Sequence, residues 1–147
     1  MKKNLAVLLI LAVCSAAVVS GQRRGSRFDP DGTYWIHGDH PDGFSDFGGI
    51  NLNAKRVRRF GPAGLSLNNG KNFRFKTISV KQDNFTFTTV TLSNISYTFS
   101  GKFLKGGIYE AAGLDDEVPV LEGVLTKYKG TKKVAEANLK FVYFAGT

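Results

Sequence analysis

Through the second half of the chain, apolar residues recur at every second position. Phe73-Arg74-Phe75-Lys76 sets two aromatics on one side of an extended segment and two cations on the other. Ile78 and Val80 then fall on the parity of Arg74 and Lys76, which predicts either a bulge near Thr77 or burial of both faces. From Phe85 to Leu92, Phe85 and Phe87 take one side and Val90 and Leu92 the other, with threonines between them, a composition that favours strand. A tight turn is expected at Ser93-Asn94, after which Ile95, Tyr97, Phe99 and Phe103 return at period two to complete a hairpin. Val120 to Tyr128 reads as a strand with Leu121, Gly123, Leu125 and Lys127 on one face. After a turn at Lys129–Lys132, the segment Val134–Phe144 places Ala135, Ala137, Leu139, Phe141 and Tyr143 together, and Val142 and Phe144 make its end apolar on both sides.

The first half is less regular. Tyr34-Trp35-Ile36 predicts a short strand, ended by the turn formers of Gly38-Asp39-His40-Pro41-Asp42-Gly43, and a second strand is expected around Ile50 to Val57. Helical periodicity is nearly absent, since even Lys132–Lys140 alternates better at 2 than at 3.6. About seven to nine short strands in one domain predict an all-β fold, a single antiparallel β-sandwich, with a small β-barrel as the alternative.

Residues 1–21 change the boundaries of that domain. Lys2 and Lys3, the apolar run Leu5–Val13 and the small residues Ser15–Gly21 have the layout of a cleaved signal peptide, with Gln22 the expected first mature residue. Nine strongly apolar residues are too few for a membrane span, which takes about 20. Cys14 raises a second reading, a lipid anchor, but Val13 departs from the small residue that usually precedes a lipidated cysteine. The expected organisation is a signal peptide over 1–21, a flexible arm over 22–33 and one β domain over 34–147, secreted or periplasmic. Since Cys14 is the single cysteine, the mature chain forgoes disulfides and depends on its apolar core, to which 12 Phe and 5 Tyr contribute.

The chain carries a net charge of +8, and loss of Lys2 and Lys3 leaves 18 basic against 12 acidic residues. That excess serves solubility and also favours an anionic partner. Lys55-Arg56-Val57-Arg58-Arg59 concentrates it; Arg56, Arg58 and Arg59 are candidate oxyanion ligands, and the run also resembles a dibasic cleavage site before Phe60. Only Phe60 lies beside it to stack on a base, which argues against nucleic acid and for an anionic polysaccharide or another extracellular surface ligand.

Both histidines and two carboxylates fall within Tyr34–Asp42, making Tyr34, Trp35, His37, Asp39 and His40 candidate ligand-binding residues. His37 and His40 are separated by only two residues, closer than the usual spacing of a structural zinc pair, and Gly, Asp and Pro suit a surface turn equally well. Tyr34 and Trp35 are a candidate sugar-stacking pair. No Gly-x-Ser-x-Gly elbow occurs and no mature cysteine is available as a nucleophile. Asn84-Phe85-Thr86 and Asn94-Ile95-Ser96 match the N-glycosylation acceptor pattern. The expectation is a secreted, non-catalytic binding or surface-structural domain without cofactor, metal or catalytic residues. The alternative is a secreted hydrolase or metal-dependent enzyme built on His37, Asp39 and His40.

Overall fold

The computed structural model describes residues 30–52, 63–104 and 118–144, and all its regular structure is strand. Eight strands follow in order: β1 Gly32–Ile36, β2 Phe47–Leu52, β3 Gly64–Leu67, β4 Asn72–Lys81, β5 Asn84–Thr89, β6 Ile95–Phe103, β7 Leu121–Lys129 and β8 Lys132–Phe144. β1 begins at Gly32, inside the stretch expected as an arm. Each strand pairs antiparallel with the next, and β1 also pairs with β8 through Thr33–Phe144, Tyr34–Tyr143, Trp35–Val142 and Ile36–Phe141. The sheet is therefore a closed barrel. This corrects the preference for a sandwich in favour of the barrel: both bury the same alternating face, and only the β1–β8 pairing, between segments more than a hundred residues apart, distinguishes them.

Bends needed for closure sit at identifiable residues. The register of β4 on β5 shifts between Phe75 and Thr77, so the parity change there is a bulge, and Val80 and Ile78 oppose Phe85 and Phe87. Further shifts lie between Phe47 and Gly49 and between Lys127 and Tyr128. At the β5–β6 hairpin, Ser93 and Asn94 both have positive φ (51° and 64°), the signature of a type I′ turn, and Leu92 bridges Ile95 across it. Just inside, the Tyr97 amide donates to the Thr89 hydroxyl at 2.9 Å instead of to a backbone carbonyl.

Aromatic side chains fill the interior. Phe85, Phe87, Phe99, Phe103 and Phe141 form a continuous group with ring centroids 5.5–5.7 Å apart in contacting pairs, and Tyr34 lies 5.8 Å from Phe103. Contacts of this kind add about 0.5–1.5 kcal/mol per pair beyond area burial. Room for them comes from Gly101 and Gly123, which face each other across β6 and β7. A Cβ on Gly123 would come within 2.7 Å of the Phe99 ring, so the ring occupies the space that two side chains would otherwise take.

Outward positions are of the opposite character. Thr77, Thr88, Thr98 and Thr126 stand in register across β4 to β7 and meet Glu136 on β8. The Thr77 and Thr88 hydroxyls are 2.7 Å apart and Thr126 donates to Glu136 at 3.0 Å, so this row ties the wall together. A further row runs through Lys81, Asn84, Lys102, Glu122 and Lys140. Polar rows thus alternate on the outer wall with exposed apolar side chains, among them Trp35, Ile78, Val124 and Val134.

Candidate binding site at the barrel mouth

Strand direction sorts the connections into two ends. One end carries the β2–β3, β4–β5 and β6–β7 connections with the start of β1 and the end of β8; the other carries β1–β2, β3–β4, β5–β6 and β7–β8, all four of these within the described residues. The second end holds the candidate loop.

Residues 37–46 fold over that end because their turns bond to themselves and to the barrel. The Phe44 amide donates to the Pro41 carbonyl, the Phe47 amide to the Phe44 carbonyl and the Asn68 amide to the Asp46 carbonyl, at 2.8–3.0 Å. Phe44 is thereby fully buried and plugs part of the opening. Gly43, at φ 81°, lies so close to Ala135 that a Cβ there would be 2.7 Å from it. His37 is fixed by its amide, which donates to the Lys140 carbonyl at 2.8 Å, and the His40 Nε2 lies 3.0 Å from the Phe47 carbonyl oxygen. His37, Asp39, His40 and Asp42 are exposed. No group of three or more histidine, cysteine or carboxylate side chains arranged to hold a metal ion occurs among the described residues. The loop's clearest contribution is thus mechanical.

Tyr34 and Trp35 do not form a pair. Alternation sends Tyr34 into the barrel, fully buried, with its hydroxyl donating to the Pro30 carbonyl, and turns Trp35 outward, where it stacks on Phe144 at 4.2 Å and 13°. Trp35 remains 45% exposed on the outer wall and is available as a single ring. Arg56, Arg58 and Arg59 lie outside the described residues. Asn84 and Asn94 are both exposed, Asn94 at the hairpin turn.

Beside the Phe44 plug the mouth stays open as a concavity of about 150 Å³. Asp46, Asn69, Lys71 and Ser93 give its rim polar character, and Leu67, Phe73, Leu92, Ile95 and Tyr97 line it with carbon. Lys127 projects into it from β7, only 19% exposed. Its ammonium lies 3.6 Å from an Asp46 carboxylate oxygen, donates to the Gly43 carbonyl at 3.2 Å and sits 5.8 Å from the centre of the Tyr97 ring. Burial, with Asp46 adding to it, pushes the Tyr97 hydroxyl up to about 12, so at neutral pH it is a hydrogen-bond donor. No partner for that hydroxyl occurs among the described residues.

A second depression, of about 340 Å³, lies on the outer wall over the Gly101–Gly123 pair, lined by Asn84, Ser100, Lys102, Glu122 and Asn138. Lys102 and Glu122 are paired within it at 3.3 Å. It is wider and shallower, and its lining side chains are polar apart from the two glycines.

The site residues that sequence reading missed are Lys127, Asp46 and Tyr97. One signal was present: Lys127 shares its face with Leu121 and Leu125, an inward position where a charge needs a partner. That partner, Asp46, is 81 positions away and has no pattern to announce it. Comparison of the chain with protein-family models, with curated proteins and with solved structures finds no match.

Proposed function

We propose that this is an exported, non-catalytic binding protein that receives a small ligand at the barrel mouth formed by the β1–β2, β3–β4 and β5–β6 connections. One observation carries the reading: a well-packed aromatic interior leaves a concavity at one end, lined by an inward-pointing lysine, by Tyr97 and by apolar side chains. A few convergent polar groups on apolar walls are what a small-molecule site requires. Eight-stranded barrels suit this because their interior is just wide enough either to be filled or to admit one small guest. The leader of residues 1–21 supports placing the protein outside the cytosol.

The enzyme alternative has less behind it. General acid–base or metal chemistry needs groups converging on one reacting atom. His37 and His40 are each engaged with a different part of the backbone at the rim, and their loop serves to seat Phe44. An anionic polysaccharide remains the partner implied by Arg56, Arg58 and Arg59.

The test is a fragment mixture titrated into the isotopically labelled exported protein, read by amide chemical shifts. Perturbations centred on Asp46, Lys71, Leu92, Ile95 and Lys127 support a mouth site, and Leu92→Trp, which sets an indole over the opening, abolishes them. Binding confined to Trp35 and Phe144, or unaffected by that substitution, contradicts it.

A further inference from the structure

The chemistry of the mouth specifies its guest more narrowly. We infer that the site takes a small monoanion consisting of one carboxylate on a single ring or an apolar body of similar size. This rests on the mouth being the binding site, and goes on to assign the class of ligand.

Size sets the first limit. A concavity of about 150 Å³ matches the volume at which an apolar cavity in a protein holds one benzene-sized guest. Leu67, Phe73, Leu92 and Ile95 supply the apolar contact such a body needs.

Charge sets the second. Lys71 and Lys127 line the site against Asp46 alone, leaving one positive charge in excess. Lys127 is also incompletely satisfied by Asp46. A charge-assisted ammonium–carboxylate bond closes to about 2.7–2.9 Å, whereas this pair stands at 3.6 Å, and the Gly43 carbonyl takes one further donor at 3.2 Å. An ammonium has three donors. A mostly buried lysine held by one loose carboxylate and one carbonyl has capacity for another anionic oxygen. Tyr97, buried and protonated at neutral pH, also lines the site and brings a neutral hydroxyl donor. A carboxylate offers two oxygens, one for Lys127 and one for Tyr97 or Lys71. A dianion would exceed the single positive charge available, and a cation would meet two lysines. The protein's overall positive charge also draws an anion towards it.

Three probes of one shape but different charge decide the matter: benzoate, benzamide and benzylamine, titrated separately into the labelled exported protein at neutral pH. Benzoate is expected to shift the amides of Lys71, Ile95, Tyr97 and Lys127, with benzamide at least about tenfold weaker and benzylamine weaker still. Lys127→Met, nearly isosteric, should weaken benzoate by about tenfold or more while leaving benzamide within about twofold. Lys129→Met, which removes an exposed lysine of the same strand, should change neither. If Lys127→Met fails to fold, Lys71→Gln at the exposed rim is read instead and should weaken benzoate alone. Equal affinity for all three probes at these amides overturns the carboxylate assignment and leaves the mouth standing as a binding site. Absence of shifts at the mouth with every probe, up to its solubility limit, overturns both.

Discussion

Gly123→Ala adds one methyl group to the wall of the barrel, and the surroundings leave it nowhere to go. The new carbon would lie 2.5 Å from the Gly101 Cα, 2.5 Å from the Ser100 carbonyl oxygen and 2.7 Å from the Phe99 ring. Two of these neighbours are backbone, so β6 and β7 must separate locally, and no rotamer change relieves the clash. Overpacking usually costs about 1–3 kcal/mol, and backbone involvement sets the expectation at the upper end, about 3 kcal/mol. For a domain of this size that lowers Tm by roughly 10 °C. Thermal unfolding followed by circular dichroism measures it. Gly70→Asn is the control: Gly70 has φ 82° with nothing within 4 Å of its would-be Cβ, and Asn tolerates the left-handed region, so the change should stay below about 1 kcal/mol. Adding Phe99→Leu to Gly123→Ala should recover only the ring's share of the clash, a coupling of about 1 kcal/mol. A Gly123→Ala protein as stable as the parent would refute the account of how the Phe99 ring is housed.

Other consequences follow from the same packing. Phe44→Ala removes the plug from the mouth and should cost about 3–5 kcal/mol in denaturant unfolding, with a shift below 1 kcal/mol showing that the loop does not seal the barrel. Replacing His37 and His40 together by alanine should cost only about 1 kcal/mol, since the imidazole contact in question is the one between His40 and the Phe47 carbonyl; loss of a stoichiometric metal on that substitution would revive the enzyme reading. Tyr97 has its pKa raised from 10 to about 12, so its contribution is intact below pH 10 and is lost as pH rises through 12. Integrated over that window the loss is about 2–3 kcal/mol, and Tyr97→Phe should flatten the alkaline limb of a stability–pH curve. Glu136 has the opposite sign: the Lys133 bond, then the Thr126 bond, lower its pKa, so its small contribution is present at neutral pH and fades on acidification, a step that Glu136→Gln removes.

Much of the fold was legible where alternation was strict. Phe85 and Phe87, Tyr97, Phe99 and Phe103, and Leu139, Phe141 and Tyr143 all face the core as their parity requires. The break at Ile78 and Val80 left a bulge and burial of both faces as alternatives, and the register shift in β4 together with the exposure of Ile78 selects the bulge. Closure was not legible, because Thr33–Ile36 and Phe141–Phe144 carry the same pattern whether they pair with each other or lie at the edges of two sheets. The site was half legible. His37, Asp39 and His40 drew notice for their chemistry, yet the residue in that loop that does most is Phe44, whose aromatic ring reads as ordinary core. The inward parity of Lys127 was readable but drew no notice, because its meaning depends on Asp46 and Tyr97, which only the closed barrel brings to it.

The central claim is a closed barrel, and the pairing of β1 with β8 is the contact that closes it. Nuclear Overhauser spectroscopy of the protein tests this directly. Interstrand backbone contacts linking Thr33 with Phe144, Tyr34 with Tyr143 and Trp35 with Val142 are the predicted result. A spectrum in which β1 contacts β2 alone, with β8 paired only to β7, would describe an open sheet or a sandwich and contradict both the barrel and the mouth proposed upon it.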